Sequence, residues 1–434
     1  MFPMQSPRFL AVWPLLSLLF LSAPVQAAQP MPVERASWWR GNLHTHSLWS
    51  DGDDFPEMIT EWYATNGYHF LGISDHNILQ QGERWVAATG EVRRKAIARC
   101  LARHGTNWLA WRTVSGNPQV RLKTLEEYRG LFERRDRFLL LTAEEITDRY
   151  RRHEIHMNAT NLRDYIKPRG GTSVVDVLQR NLDAVLDQRL RTGQPMLPHI
   201  NHPNFGWSIT AEDLMPLRGA RFFEVYNGHP SVYNEGDAQH PGLERLWDIA
   251  LAFRLSELRL GPLYGLATDD AHRYHQYSAK ESNPGRGWIQ VRAPRLWASS
   301  LIKAMEAGDF YASTGVRLRD VRRSGRGLSL EIEPEAGVEY TTRFIGTLRG
   351  FDPTSRPGSL PAGTNALPVT RIYSPDIGAV LAEVRGPRAE YRFTGDELYV
   401  RATVVSSKAK ANGIVTNEVE RAWVQPVVPS ARGR

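Results

Sequence analysis

Seven short apolar runs in the first two-thirds of the chain constrain its fold more than any other feature. They are Trp38–Leu43, His69–Ile73, Phe138–Thr142, Ile155–Ala159, Pro195–Ile200, Arg221–Tyr226 and Leu263–Ala267. All but the sixth end in, contain or are soon followed by a histidine or carboxylate of interest. Helical patterns separate several of them, and strands alternating with helices predict a parallel α/β sheet or barrel. In a barrel the reactive groups gather at the C-terminal ends of the strands, which is where these residues fall.

His44-Thr45-His46 follows the first run, with Asp51 five residues on in a turn. Residues i and i+2 of an extended segment point the same way, so both imidazoles can reach one ion. Ser74-Asp75-His76-Asn77 closes the second run and Glu144-Glu145 the third. His156 lies in the fourth, His202-Pro203 follows the fifth, and Asp269-Asp270-Ala271-His272 follows the seventh. Each alone is more often a satisfied polar residue, and one His-x-His is unremarkable in a chain with 13 His. Their succession at strand ends is the signal.

In this order the pieces resemble the polymerase and histidinol phosphatase (PHP) metallohydrolases. The matching pieces are Leu43-His44-Thr45-His46 with Ser50-Asp51-Gly52, Ile73-Ser74-Asp75-His76-Asn77, Glu145-Ile146-Thr147, His156, Asn201-His202-Pro203 and Asp270-Ala271-His272. The resemblance implies a distorted (β/α)7 barrel holding two or three divalent ions, Zn, Mn or Fe. It implies that His44 and His46 hold the first ion with Asp270 and Glu145. Glu145 would bridge to a second held by His156 and His202, and Asp51, His76 and His272 would take a third. The ligand chemistry agrees: imidazole and carboxylate suit these metals, and no thiolate is offered. Three dications against three carboxylates leave surplus positive charge, which favours a bridging hydroxide and an anionic substrate.

Neighbouring residues compete for these roles. Spacing to Ile146-Thr147 favours Glu145 over Glu144. His153, beside Arg151-Arg152 and Glu154, reads as a surface residue, which favours His156. His199 lies within its strand and reads as packed or supporting. Asp75 and Asp269 are expected to orient ligand imidazoles. Asn77, Arg273 and His229 are candidate substrate contacts.

The N-terminus reads as an export signal over residues 1–27: Arg8, an apolar run from Phe9 to Leu21, and Val25-Gln26-Ala27 before a mature start at Ala28. The run is shorter than the roughly 20 residues that span a bilayer. The expected location is periplasmic or secreted. A single cysteine, Cys100, excludes an intramolecular disulfide framework and Cys-rich metal sites.

Residues 28–318 form the expected barrel domain. Near 315–326 the pattern changes to period two. Leu328–Ile332, Arg343–Leu348, Ala379–Val384, Glu397–Val405 and Arg421–Val427 read as strands of an all-β, sandwich-like accessory domain over 319–434. The net charge is +7. Residues 319–434 hold 17 Lys/Arg against 13 Asp/Glu, which leaves only +2 on 28–318 once Arg8 is removed. That is thin for a nucleic-acid surface beyond short oligonucleotides.

These features predict a divalent-metal-dependent hydrolase, first a phosphoesterase acting on a small anionic molecule. A carbamate, ester or amide hydrolase on the same centre is the second reading, motivated by exported PHP-type relatives and 13 Trp. A non-catalytic binding protein is the third.

Overall fold

The computed structural model describes residue 1 and residues 36–358 and 367–429. The expected export segment lies, apart from residue 1, outside these residues. Among the described residues no helix is long and apolar enough to cross a membrane.

All seven expected runs form strands of one thirteen-stranded sheet. Its strands, numbered along the chain, begin with β1 (Ser37–Asn42), β2 (Phe70–Ile73), β3 (Leu139–Tyr150), β4 (His153–Thr160), β5 (Leu197–Ile200), β6 (Phe222–Asn227) and β7 (Tyr264–Thr268). They continue with β8 (Trp288–Ala293), β9 (Phe310–Ser313), β10 (Tyr340–Leu348), β11 (Ala379–Arg385), β12 (Glu397–Ala409) and β13 (Val419–Val427). The spatial order is β7-β6-β5-β4-β3-β2-β1-β8-β9-β13-β12-β10-β11. The first seven therefore lie side by side in chain order.

The neighbours β1–β2, β2–β3, β5–β6 and β6–β7 are parallel. β4 departs from the all-parallel expectation and runs antiparallel to both β3 and β5. The cause is local. Only Arg151 and Arg152 separate β3 from β4, with Arg151 left-handed at φ 55°. Two residues make a hairpin, whereas a parallel pair needs a crossover of a dozen residues or more. Reversal brings the first half of β4, rather than its end, to the rim where the site lies. His156 pairs there with Thr147.

Helix α1 (Pro56–Thr65) connects β1 to β2. Its cap position is Phe55, whose N–H donates to Asp54 Oδ1 at 2.9 Å. The long β2–β3 connection carries two helices, α2 (Glu91–His104) and α3 (Leu125–Phe132). It also carries an unanticipated antiparallel sheet of Arg84–Ala87, Trp111–Val114 and Asn117–Leu122. Helix α4 (Val174–Thr192) buries Val174, Val177, Leu178, Leu182 and Val185, a stripe at helical spacing. The short α5 (Ala211–Leu214) precedes β6. Helix α6 (Leu243–Ser256) gave no sequence signal because every residue from 246 to 254 is buried. With Asp248 and Arg254 buried among the apolar residues, no exposed polar face sets off a helical period. Helix α7 (Ala298–Glu306) joins β8 to β9.

The sheet crosses the expected 318/319 boundary without a break, since β9 pairs with β13. The expected C-terminal strands fall in β10 to β13, except Leu328–Ile332. That one joins a separate sheet of Leu318–Ser324, Gly327–Ile332 and Arg388–Arg392. Leu328, Leu330 and Ile332 share a buried core with Phe344, Val400 and Val404 of the large sheet. The β7 edge is also tied to the C-terminal strands. Buried Gln425 of β13 accepts the Gly265 N–H at 2.9 Å and donates to the Gly265 carbonyl at 2.8 Å. At the rim, the segments following β1 and β7 meet: His46 N–H donates to the Ala271 carbonyl at 2.9 Å, and Asp270 N–H to that of His44 at 3.0 Å.

Candidate metal centre

That rim contact sets the innermost group. Extended backbone after β1 turns His44 and His46 to one side, while the side chain of Thr45 engages Tyr274 and the Ala271 carbonyl. His44 Nε2 lies 3.5 Å from Glu145 Oε2 and 3.2 Å from Asp270 Oδ1. For His46 Nε2 the same distances are 3.3 and 3.2 Å. Asp270 reaches this point from a left-handed residue, φ 48°, just after β7, a conformation a non-glycine residue adopts at some cost.

Glu145 Oε1 faces a second group. His156 Nδ1 is 3.0 Å from it and His202 Nε2 is 3.6 Å. His202 Nε2 also stands 3.9 Å from Asp270 Oδ2. A third group lies toward solvent. Asp51 Oδ1 is 3.4 Å from His272 Nε2 and 3.6 Å from His46 Nδ1, and its Oδ2 is 3.7 Å from His76 Nε2. His76 also approaches Glu145, with Nδ1 2.9 Å from Oε2. All nine side chains singled out in the sequence thus occur in groups of His, Asp and Glu whose donor atoms lie close enough to hold a metal ion.

The donor atoms themselves fit such an ion. His44 Nε2, His46 Nε2 and Glu145 Oε2 are buried without a hydrogen-bond partner, although both nitrogens stand within 3.5 Å of that oxygen. Buried polar atoms are rarely left so, and a cation at their common focus would satisfy all three. Both carboxylates are held ionised. Burial opposes their charge, but His76, His156 and His44 hold Glu145 well below the usual carboxylate range. His44, His46 and His272 do the same for Asp270. Burial, aided by His272 and His76, pushes His46 down to about 4 and leaves it neutral, the state a ligand requires.

One residue was missed. Glu224, on the sixth run that offered nothing, is fully buried. Its Oε1 is 2.7 Å from His44 Nδ1 and accepts from Thr268 Oγ1 at 2.8 Å. Its Oε2 accepts the His202 N–H at 2.8 Å and the Asn227 amide at 2.9 Å. A carboxylate on the far nitrogen fixes the tautomer and aims Nε2 at the site. The available signal was an acid in the middle of the otherwise apolar Phe222-Phe223-Glu224-Val225.

The remaining expectations divide. Glu144 points to the opposite face of β3 from Glu145. Its Oε1 accepts the Ile166 N–H at 2.9 Å, and burial raises its carboxyl to about 8. His153 is buried rather than on the surface. It opens β4, and strand alternation turns its ring inward to the Ser208 carbonyl at 2.8 Å while Arg151 and Arg152 stay exposed. His199 is buried with Nε2 3.4 Å from Glu224 Oε1.

Asp75 binds no imidazole: it accepts from Ser47 Oγ at 2.7 Å, Ser50 Oγ at 2.7 Å and Gln80 at 2.9 Å, and so shapes the loop from His46 to Asp51. Asp269 likewise takes Tyr63 OH at 2.8 Å and the Arg286 and Gly287 N–H groups. Asn77 spends its amide on the Thr147 backbone, at 2.9 and 2.8 Å. His229 stands beside the centre, 5.5 Å from the His272 ring, and burial lowers it to about 4. Arg273 is half exposed, 3.6 Å from Glu281.

No family model and no curated protein matches the chain. Among solved structures it is similar to a two-domain Bacteroides vulgatus protein containing a predicted PHP-like metal-dependent phosphoesterase. That match has 14% identity and a TM-score of 0.36, over 90% of this chain and 95% of that one. It is also similar to a Bifidobacterium adolescentis protein whose metal-dependent phosphoesterase assignment is itself a prediction. There the identity is 14% and the TM-score 0.28, over 54% of this chain and 87% of that one. Likenesses at this level transfer neither fold nor activity, and the chemistry below rests on the chain's own residues.

Proposed function

We propose that the chain is a divalent-metal-dependent hydrolase of the PHP type, most simply a phosphoesterase. The observation that carries this is the convergence of His44 Nε2, His46 Nε2 and Glu145 Oε2, buried and unpartnered, with Asp270 Oδ1. His44, His46, Glu145 and Asp270 hold one ion, Glu145, His156 and His202 a second, and Asp51, His76 and His272 a third. When bound, such ions lower the pKa of water and stabilise a leaving oxygen as Lewis acids. The chain's own groups hold and orient. Glu224 fixes His44, Asp75 fixes the His46–Asp51 loop, and Arg273 beside Asp51 offers its charge to an anionic substrate.

A carbamate or ester substrate keeps the same centre. The Phe205 ring, 5.1 Å from that of His202 and 6.1 Å from those of His156 and His229, favours an aryl group in either case.

In this reading β1 to β7 form a distorted (β/α)7 barrel. The His46–Ala271 and Asp270–His44 backbone contacts and the side chain of Gln425 draw its edges together. The C-terminal strands buttress it, and the protein is exported after loss of residues 1–27. Metal-loaded protein is to be assayed against phosphomonoesters, phosphodiesters and aryl carbamates. Hydrolysis of a phosphoester well above the metal-free background supports the reading. Activity confined to carbamates moves the substrate class, and none on any of the three overturns it.

A further inference from the structure

A cavity of about 700 Å³ opens beside the outer histidines, a size ordinary for a small-molecule site. Asp51, Arg273 and the first turn of α2 all line it. Three cations stand on its wall, and two are answered there. Lys95 Nζ is 2.7 Å from Glu91 Oε1, and Arg273 Nε is 3.6 Å from Glu281 Oε2. Arg93 is not. It is half-buried, its side chain has no ion pair or hydrogen bond among the described residues, and its Nη1 is buried without a partner.

A guanidinium nitrogen buried without an acceptor is unfavourable until one arrives. Burial lowers its pKa from the ordinary value, yet an arginine remains charged at any physiological pH. Its planar fork of donors matches carboxylate and phosphate oxygens. The neighbouring Asp51 is already turned to His46, His76 and His272, so it does not neutralise Arg93.

We propose that Arg93 is a specificity residue, receiving a second oxyanion that the substrate carries away from the bond being broken. The reacting end lies at the metal centre, so the proposal rests on the hydrolase reading above. Substrates of this class are small molecules with two anionic groups, one hydrolysed and one held.

The test is calorimetric binding of three non-hydrolysable probes to metal-loaded protein: benzylphosphonates bearing a para carboxylate, a para phosphonate or a para carboxamide. The wild type is expected to bind one of the charged probes at least about tenfold tighter than the carboxamide, and the tighter of the two identifies the oxyanion. Arg93→Gln should bring the ratio to about one without changing carboxamide affinity or the melting temperature. Arg93→Lys should keep part of it. Equal affinities in the wild type, no binding of any probe, or a preference that survives Arg93→Gln overturns the proposal. A preserved preference in protein that hydrolyses no ester supports the pocket and counts against the hydrolase reading alone.

Discussion

Glu224 Oε1 stands 2.7 Å from His44 Nδ1, deep beneath the metal centre and wholly out of solvent. Burial alone would discharge the ring. The carboxylates of Asp270, Glu224 and Glu145 outweigh it and hold His44 well above its ordinary pKa. A bound cation would take the place of the Nε2 proton, and Glu224 on Nδ1 then keeps the ring aimed and electron-rich, so removing its charge while keeping its shape should weaken ligation. For Glu224→Gln, metal affinity measured by chelator competition should fall about 10- to 100-fold. Unchanged affinity would remove Glu224 from the account.

Asp51 and Glu145 should differ in what they release. Asp51 approaches His272, His76 and only the far nitrogen of His46, whereas the two oxygens of Glu145 face two separate groups. Metal analysis of Asp51→Asn should show a loss of one equivalent, and that of Glu145→Gln a loss of two. Equal losses would contradict the division into groups.

Glu144 gives a pH signature separate from the centre. Its carboxyl is raised to about 8 by burial, against an ordinary value near 4.5. Between those values the folded state holds a proton that the unfolded state has lost, so stability falls as pH rises across that window. Each pH unit removes up to about 1.4 kcal/mol. Glu144→Gln, neutral throughout, should melt like the wild type at pH 4 and above it at pH 8. Equal melting temperatures at pH 8 would show that Glu144 is ionised in the folded protein.

Arg401 of β12 ties the C-terminal strands to α6. It is buried and gives Nε and Nη2 to Asp248 at 2.8 and 2.6 Å and Nη1 to Glu244 at 2.8 Å. Arg401→Met leaves those carboxylates without their partner. Urea unfolding should show a loss of about 3–5 kcal/mol in one transition that includes the site. A separate early transition would mean that the two parts fold independently.

The first seven strands could be read from the chain because each run is short and apolar, and all but the sixth end in, contain or are soon followed by a chemically distinctive residue. The ligand candidates were legible for the same reason. What escaped had no pattern to offer. Helix α6 is buried on all sides from 246 to 254, and β8 and β9 carry no candidate ligand to mark them. Glu224 sits mid-strand, where its neighbours announce only burial. His153 misled through its charged neighbours, since alternation along β4 sends adjacent side chains to opposite faces. The direction of β4 was settled by a two-residue turn rather than by any apolar pattern.

The central claim is that the converging histidines and carboxylates bind metal, and elemental analysis tests it most directly. Protein purified without chelator should hold two or three equivalents of divalent metal, and His44→Ala should lose metal and hydrolytic activity together. Less than one equivalent in the wild type, or full metal content and activity in His44→Ala, would contradict the account.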